Sequence, residues 1–155
     1  MRIGVLNRQS KPASDDLVRE AAQAALQAAN ESGEVRPPDT TARADVVLVD
    51  EAAIAALNRT HLGRAEPTDV LAFPGDEEDE DGSRLLGEVV VCVDVVRRQS
   101  LAFGHSADAE LAEVVAHGIL HLLGYDDATP AGRHLMARLQ RRALAILRQR
   151  GALPE

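Results

Sequence analysis

Hydrophobic and polar positions along the chain form blocks that predict short strands separated by helices. Continuous apolar runs, typical of buried strands, occupy residues 2–6, 44–49, 70–73 and 85–93. Apolar residues at helical spacing predict helices near residues 15–30, 51–58, 95–101, 110–123 and 130–150. Each predicted helix begins at a residue typical of a helix N-cap, namely Ser14, Asp50, Asp94, Ser106 and Thr129.

The order of these elements favours an α+β fold in which helices cover a small mixed sheet, because strands and helices do not alternate strictly. Two strands follow each other without a helix between them. We expect this pair to be antiparallel and joined by a solvated acidic loop at residues 76–81. Residues 60–68 are expected to form another loop. With 155 residues, 45% of them hydrophobic, and no long linker, the sequence predicts a single domain spanning residues 1–155.

The predicted helix at residues 110–123 carries the clearest chemical signal. It is apolar on most sides, yet His117 and His121 are four residues apart, so their imidazoles lie on one helix face. Gly124 is a typical helix-ending residue, and the turn that follows (residues 125–127, YDD) can bring a carboxylate back to the histidines. Two imidazoles and one further donor make a three-ligand zinc site with an open position for water.

The same histidine pair also fits a purely structural role, since a buried histidine is more often a satisfied core residue than a ligand. Two neutral imidazoles in one core need two sets of hydrogen-bond partners, however, and this weakens the structural explanation. Gly118 occupies the position that the glutamate base takes in the HExxH motif of metalloproteases. The sequence therefore favours a metal site without favouring a peptidase.

Cysteine usage and the apolar runs indicate where the protein works. Cys92 is the only cysteine, which excludes a disulfide within the chain, and we expect it to be a small buried residue of a strand. The N-terminus lacks the apolar segment of a signal peptide, and no apolar run approaches the ~20 residues of a membrane span. We therefore expect a cytoplasmic protein without a membrane partner.

The net charge of −8 argues at first against a nucleic-acid partner. Six of the negative charges, however, lie together in the predicted acidic loop. The last helix, by contrast, is rich in arginine: Arg133, Arg138, Arg141, Arg142, Arg148 and Arg150. A local basic face can bind phosphate on an acidic protein, although an exposed arginine face is more often simply solvated. Both interpretations stay open.

Three stretches have a distinctive order and spacing. They are residues 117–126 (HGILHLLGYD), Leu57-Asn58 followed by residues 67–74 (PTDVLAFP), and residues 86–91 (LGEVVV). Together they resemble the YbeY family of bacterial rRNA maturation factors and endoribonucleases, which has a corresponding signature, a second hallmark block and a Leu-Gly-Asp strand. The resemblance covers roughly residues 45–147.

The resemblance implies a mixed four-stranded sheet with surrounding helices and one zinc per chain, held by three side chains. It also implies a zinc-dependent endoribonuclease that cleaves single-stranded RNA, in 16S rRNA 3′-end maturation and ribosome quality control. The implied partners are rRNA and the small ribosomal subunit rather than DNA. The oligomeric state stays open.

The third metal ligand departs from the family pattern. The family usually ends its signature with a third histidine, where this chain has Asp127. A carboxylate six residues beyond the second histidine is an acceptable zinc ligand, so His117, His121 and Asp127 are the expected ligands. Alternatively, Asp127 only turns the chain, and Asp126 or His134 is the third ligand.

A second departure concerns the positive charge that would face the substrate phosphate. The family pattern places an arginine before the Pro-Thr-Asp block, and this chain has Leu62 there. Arg59 and Arg64 lie nearby, and Arg64 is the preferred catalytic candidate because it is nearer the Pro-Thr-Asp turn. His61 could act as a general acid, but an exposed loop residue without a role is the more ordinary interpretation.

Two other functions compete with RNA cleavage. A ribosome-assembly factor stabilised by its metal would bind RNA without cutting it, and the missing arginine favours this alternative. A zinc peptidase would share the ligand spacing but lacks the HExxH glutamate. Phe73, Phe103 and Tyr125 are the only aromatic residues, so stacking on bases is limited and sequence-specific RNA recognition is not expected.

Overall fold

Every predicted strand and helix is present in the computed structural model, which describes residues 2–33, 42–64, 66–78 and 84–154. The strands are β1 (Arg2–Asn7), β2 (Arg43–Val49), β3 (Val70–Glu78) and β4 (Arg84–Cys92). The helices are α1 (Asp15–Ser32), α2 (Glu51–Leu62), α3 (Val93–Phe103), α4 (Ala107–Leu122) and α5 (Pro130–Gln149).

The four strands form one mixed sheet in the order β1-β2-β4-β3. β1, β2 and β4 run parallel, whereas β3 pairs antiparallel with β4 and forms one edge of the sheet. The predicted α+β fold with a mixed four-stranded sheet is therefore confirmed, and so is the antiparallel pairing of the two successive strands.

Helices cover both faces of the sheet, which explains why the strands are apolar runs rather than alternating patterns. Val46 and Leu48 of β2 belong to the larger core, which α1, α4 and α5 complete. Val47 and Val49 point to the opposite face, where they cluster with Ile54 of α2. α4 contributes eight buried residues to the larger core, as many as α1, so its position relative to the sheet is tightly determined.

Four of the five predicted N-caps are confirmed, because each side chain accepts a hydrogen bond from the backbone N–H three residues on: Ser14, Asp50, Ser106 and Thr129. The prediction for α3 was wrong. That helix begins at Val93, so Asp94 lies in its first turn, where a carboxylate still interacts favourably with the helix dipole. None of the helices in the described part of the chain combines the length and apolar character that crossing a membrane requires.

Two predicted loops are partly regular structure. α2 continues through Leu62, so the start of the predicted loop at residues 60–68 is helical. β3 continues past Pro74 to Glu78, with a shift of the pairing register in between, so residues 76–78 of the predicted acidic loop belong to a strand. An edge strand tolerates a proline because the missing N–H does not interrupt a central ladder. Residues 79–81 of that loop, and residues 34–41 of the connection before β2, lie outside the described residues.

Candidate metal centre

Gly118 brings α4 into direct contact with the sheet. A methyl group at this position would overlap Cγ1 of Val89 and lie 3.1 Å from Cγ2 of the same residue. It would also lie 3.3 Å from Cγ2 of Val70 on the neighbouring strand. A glutamate at this position would therefore meet the sheet before it could reach a metal. Close packing of α4 against the sheet thus explains why position 118 is a glycine, where the HExxH motif has its glutamate base.

The turn after α4 returns Asp127 to the two histidines. Gly124 has a φ of +99°, in the left-handed region that favours glycine. The buried Tyr125 places its hydroxyl 3.3 Å from Ser32 Oγ at the end of α1. The Arg133 guanidinium donates a hydrogen bond of 3.2 Å to the backbone oxygen of Asp127. These contacts fix the backbone that carries the third candidate ligand.

Three potential ligand atoms converge at this point. The Nε2 atoms of His117 and His121 are 2.9 Å apart, and Oδ2 of Asp127 lies 3.9 Å from Nε2 of His121. The three ligand atoms lie within 4.8 Å of one another. Two ligands of a tetrahedral zinc, each about 2.0–2.1 Å from the ion, stand about 3.3 Å apart, a value between the two observed distances. Two imidazoles and a carboxylate are also donors that zinc accepts, so the residues fit this metal.

The geometry favours Asp127 as the third ligand over the two alternatives, Asp126 and His134. Asp126 uses its carboxylate to accept a hydrogen bond of 2.5 Å from the backbone N–H of Ala128, as in a local turn. Among the residues that the structure describes, the potential metal-binding group includes neither Asp126 nor His134. The arrangement therefore favours the ligand set expected from the spacing.

The surroundings of the two imidazoles favour metal binding. Burial lowers the pKa of His121 below its usual 6.5, the nearby His117 lowers it further, and the Asp127 carboxylate opposes both effects. His117 Nδ1 lies 2.9 Å from Oε1 of Gln140, and because a carboxamide oxygen only accepts, Nδ1 is the donor. The neutral imidazole is the form that ligates a metal, and a proton on Nδ1 leaves the Nε2 lone pair of His117 available.

An open cavity of about 520 Å³ lies against the two histidines. His61 and Leu62 at the end of α2 form part of its wall, and residues 70–74 of β3 form another part. The His61 ring packs 4.9 Å from the ring of Phe73. His61 thus lies on a helix beside the metal centre, where the sequence analysis expected a loop, because α2 is longer than its apolar pattern indicated.

The two candidate arginines lie outside this wall. Arg59 and Arg64 are both exposed, and neither is among the described residues that line the cavity. Arg64 is nevertheless tied to the end of α2, because its backbone N–H donates to the Asn58 carbonyl at 3.4 Å. Asn58 is buried, and its side-chain amide donates a 2.8 Å hydrogen bond to the backbone oxygen of Glu66. Asn58 therefore positions the segment that carries Arg64, and the catalytic role of either arginine stays a prediction.

Comparison with known proteins identifies the family of the chain and agrees with its fold. The family model described as Endoribonuclease YbeY matches residues 5–148 of the chain. The endoribonuclease YbeY of Moorella thermoacetica is 38% identical over 157 residues, covering 94% of this chain and 96% of that protein. The protein of the same name from Salinispora tropica is 38% identical over 159 residues, covering 96% and 97% respectively.

Other similarities are shorter or more distant. Two Frankia relatives, from F. casuarinae and F. alni, are 44% identical over 67% of this chain, and the match spans only 56% and 62% of their own lengths. The solution structure of TM1509 from Thermotoga maritima aligns with a TM-score of 0.59 at 28% identity, covering 96% of this chain and 93% of that one. Because the family model spans most of the sequence and full-length relatives align almost end to end, this chain belongs to the endoribonuclease YbeY family.

Proposed function

We propose that this protein is a zinc-dependent endoribonuclease that cleaves single-stranded rRNA, in 16S rRNA 3′-end maturation and ribosome quality control. The observation that carries the proposal is the convergence of ligand atoms from His117, His121 and Asp127 beside an open cleft. The name of the relatives, endoribonuclease YbeY, supports RNA as the substrate class and phosphodiester cleavage as the reaction.

In this proposal His117, His121 and Asp127 hold one zinc ion. Zinc in such a site supplies Lewis acidity and lowers the pKa of a coordinated water. The chain contributes two imidazoles and a carboxylate that adds negative charge, and burial lowers the pKa of His121, which favours its neutral form. Apolar side chains of β3, together with Leu62, form part of the wall of the open cleft beside the two histidines.

Charge that builds up on the phosphate needs a positive partner from the chain. We assign this role to Arg64, with Arg59 as the second candidate, because both lie within a few residues of the cleft-lining His61 and Leu62. A guanidinium can donate two parallel hydrogen bonds to phosphate oxygens. Both side chains are exposed, so either is free to turn towards a bound RNA strand.

The first test compares cleavage by the wild type, His121→Ala and Asp127→Ala, with end-labelled single-stranded RNA as the substrate. Duplex RNA of the same sequence and casein serve as alternative substrates. His134→Ala and Asp126→Ala are matched controls, because they remove the same types of side chain nearby. We expect the two ligand variants to lose at least about a hundredfold in activity, since a lost ligand severely weakens metal binding. Undiminished cleavage in both, or hydrolysis of casein in place of RNA, would contradict the proposal.

The arginine assignment is tested separately by Arg64→Ala and Arg59→Ala. Arg19→Ala, which removes an exposed arginine paired with Asp16 on α1, is the control. We expect the responsible arginine to lower turnover while zinc content stays at the wild-type level, because the guanidinium is not a ligand. Full turnover in either variant removes that residue from the mechanism.

A metal-stabilised ribosome-assembly factor that binds RNA without cleaving it is the second candidate. The observation that favours it is Leu62, which is 58% exposed and lines the cleft where the family pattern has an arginine. Binding and cleavage of the same RNA by one zinc-loaded preparation separate the two functions. If the wild type binds without cleaving, Leu62→Arg should introduce cleavage.

A further inference from the structure

We propose that Gln140 of α5 is a positioning residue, which fixes the tautomer and the ring orientation of His117 for metal binding. The inference rests on the metal centre proposed above and concerns a side chain outside its ligand set. Gln140 lies 23 residues from His117 in the chain, and it reaches the histidine only because α5 packs beside α4.

The hydrogen bond between these residues determines which ring nitrogen can ligate. Oε1 of Gln140 is 2.9 Å from His117 Nδ1, and a carboxamide oxygen can only accept, so the proton lies on Nδ1. His117 Nε2 is therefore unprotonated. It is also the atom that lies 2.9 Å from His121 Nε2, at the point where the ligand atoms converge.

Glu113 determines which way the Gln140 carboxamide points. Its Oε1 lies 3.5 Å from Gln140 Nε2, which is longer than the usual N–H···O hydrogen bond. A carboxylate can only accept, so the NH₂ group must face Glu113 and the oxygen must face His117. The reversed amide would set its oxygen against the Glu113 carboxylate, acceptor against acceptor. All three side chains are half-buried, so water competes less for these bonds than at the surface.

α5 thus supports the ligand set from two positions on one face. Arg133 and Gln140 are seven residues apart, so their side chains project in nearly the same direction from the helix. Arg133 holds the backbone of Asp127 and Gln140 holds the ring of His117. Partners of this kind commonly change metal affinity by about 10–100-fold when they are removed.

The experiment uses three variants of the full chain. Gln140→Leu keeps the approximate size of the side chain and removes the acceptor. The double variant Gln140→Glu/Glu113→Gln exchanges the partners, so a carboxylate accepts from His117 and a carboxamide donates to that carboxylate. Gln149→Leu, on the exposed end of the same helix, is the control.

Two readouts are taken at one mildly alkaline pH. Long-range ¹H–¹⁵N correlation spectra of the metal-free protein report which nitrogen of His117 is protonated. Competition with a chromophoric chelator reports the affinity for zinc alone. We expect Gln140→Leu to lose the exclusive Nδ1–H tautomer and to bind zinc about 10–100-fold more weakly. The exchanged pair and the Gln149→Leu control should behave as the wild type does.

A Gln140→Leu variant with the wild-type tautomer and affinity would overturn the inference. It would equally be overturned if the exchanged pair bound zinc no better than Gln140→Leu, because the effect would then be one of packing. A wild type that binds no zinc would contradict the proposed function instead, while the tautomer in the metal-free protein would still decide the role of Gln140.

Discussion

Substitution of Gly118 by alanine tests how closely α4 must approach the sheet for the metal centre to form. The added methyl group would overlap Cγ1 of Val89, a side chain with 0% exposure. Val89 has little freedom to move aside, because it is β-branched and enclosed in the core. The helix itself must therefore shift, and His117, the preceding residue, must shift with it.

Two opposing contributions set the size of the effect. Alanine is more favourable than glycine inside a helix by about 1 kcal/mol. An extra methyl group in a well-packed core costs about 1–3 kcal/mol. We expect Gly118→Ala to lower the free energy of unfolding by about 1 kcal/mol, and the melting temperature by roughly 2–4 °C, in a domain of this size. Zinc affinity should fall as well, because the shift changes the distance between the ligand atoms.

The assay is a double-mutant cycle with Val89→Ala, measured by urea unfolding of the metal-free protein. Val89→Ala alone removes two buried methyl groups and should cost roughly 2 kcal/mol. In the double variant the methyl group at position 118 occupies part of the space that Val89 leaves. The combined loss should therefore fall short of the sum of the single losses by at least about 1 kcal/mol. Strict additivity, or a Gly118→Ala variant more stable than the wild type, would show that a methyl group at position 118 does not clash with Val89.

Two further predictions concern residues that support the site. Asn58→Ala removes the hydrogen bond to the Glu66 backbone and should destabilise the protein by about 1–2 kcal/mol, measured by urea unfolding. RNA turnover should fall while the zinc content stays unchanged. Unchanged turnover would show that this hydrogen bond does not matter for catalysis. Burial, and then the charges of Glu113 and Asp69, raise the pKa of the Glu110 carboxyl group above 4.5 in the folded protein. The group therefore stabilises the fold at a pH below its pKa in the unfolded chain. This stabilisation is lost as the pH rises through its pKa in the folded protein. The melting temperature of Glu110→Gln should therefore rise relative to the wild type between acidic and neutral pH, and a difference independent of pH would contradict this prediction.

Much of the fold could be predicted because its determinants are local. Ser14, Ser106 and Thr129 begin helices in the structure as their residue types predict, since a cap needs only its own side chain and the next three backbone groups. The predictions that were wrong concern positions whose structure depends on contacts with other elements. Pro74 ends a strand by local rules, yet the edge position of β3 lets the strand continue.

In the candidate site, too, local features could be predicted and contacts between distant elements could not. The alignment of His117 with His121 follows from the helical repeat alone. The third ligand was less certain, because spacing left Asp126 and His134 open beside Asp127, and the structure brings Asp127 to the histidines. The contact of Gln140 with His117 joins two helices, and the place of His61 on the cleft wall depends on how α2 lies against β3. Hydrophobic patterns show which face of a helix is buried. They do not show which residue of another helix will contact that face.

The zinc content of the purified protein decides whether His117, His121 and Asp127 form a metal centre. Wild type, His121→Ala, Asp127→Ala and the control Asp126→Ala are saturated with zinc, freed of excess metal and measured by elemental analysis. We expect about one zinc per chain in the wild type and the control, and loss of the metal in both ligand variants. Zinc retained by Asp127→Ala would place the third ligand elsewhere. A wild type without bound zinc would contradict the metal centre itself and favour a factor that binds RNA without cleaving it.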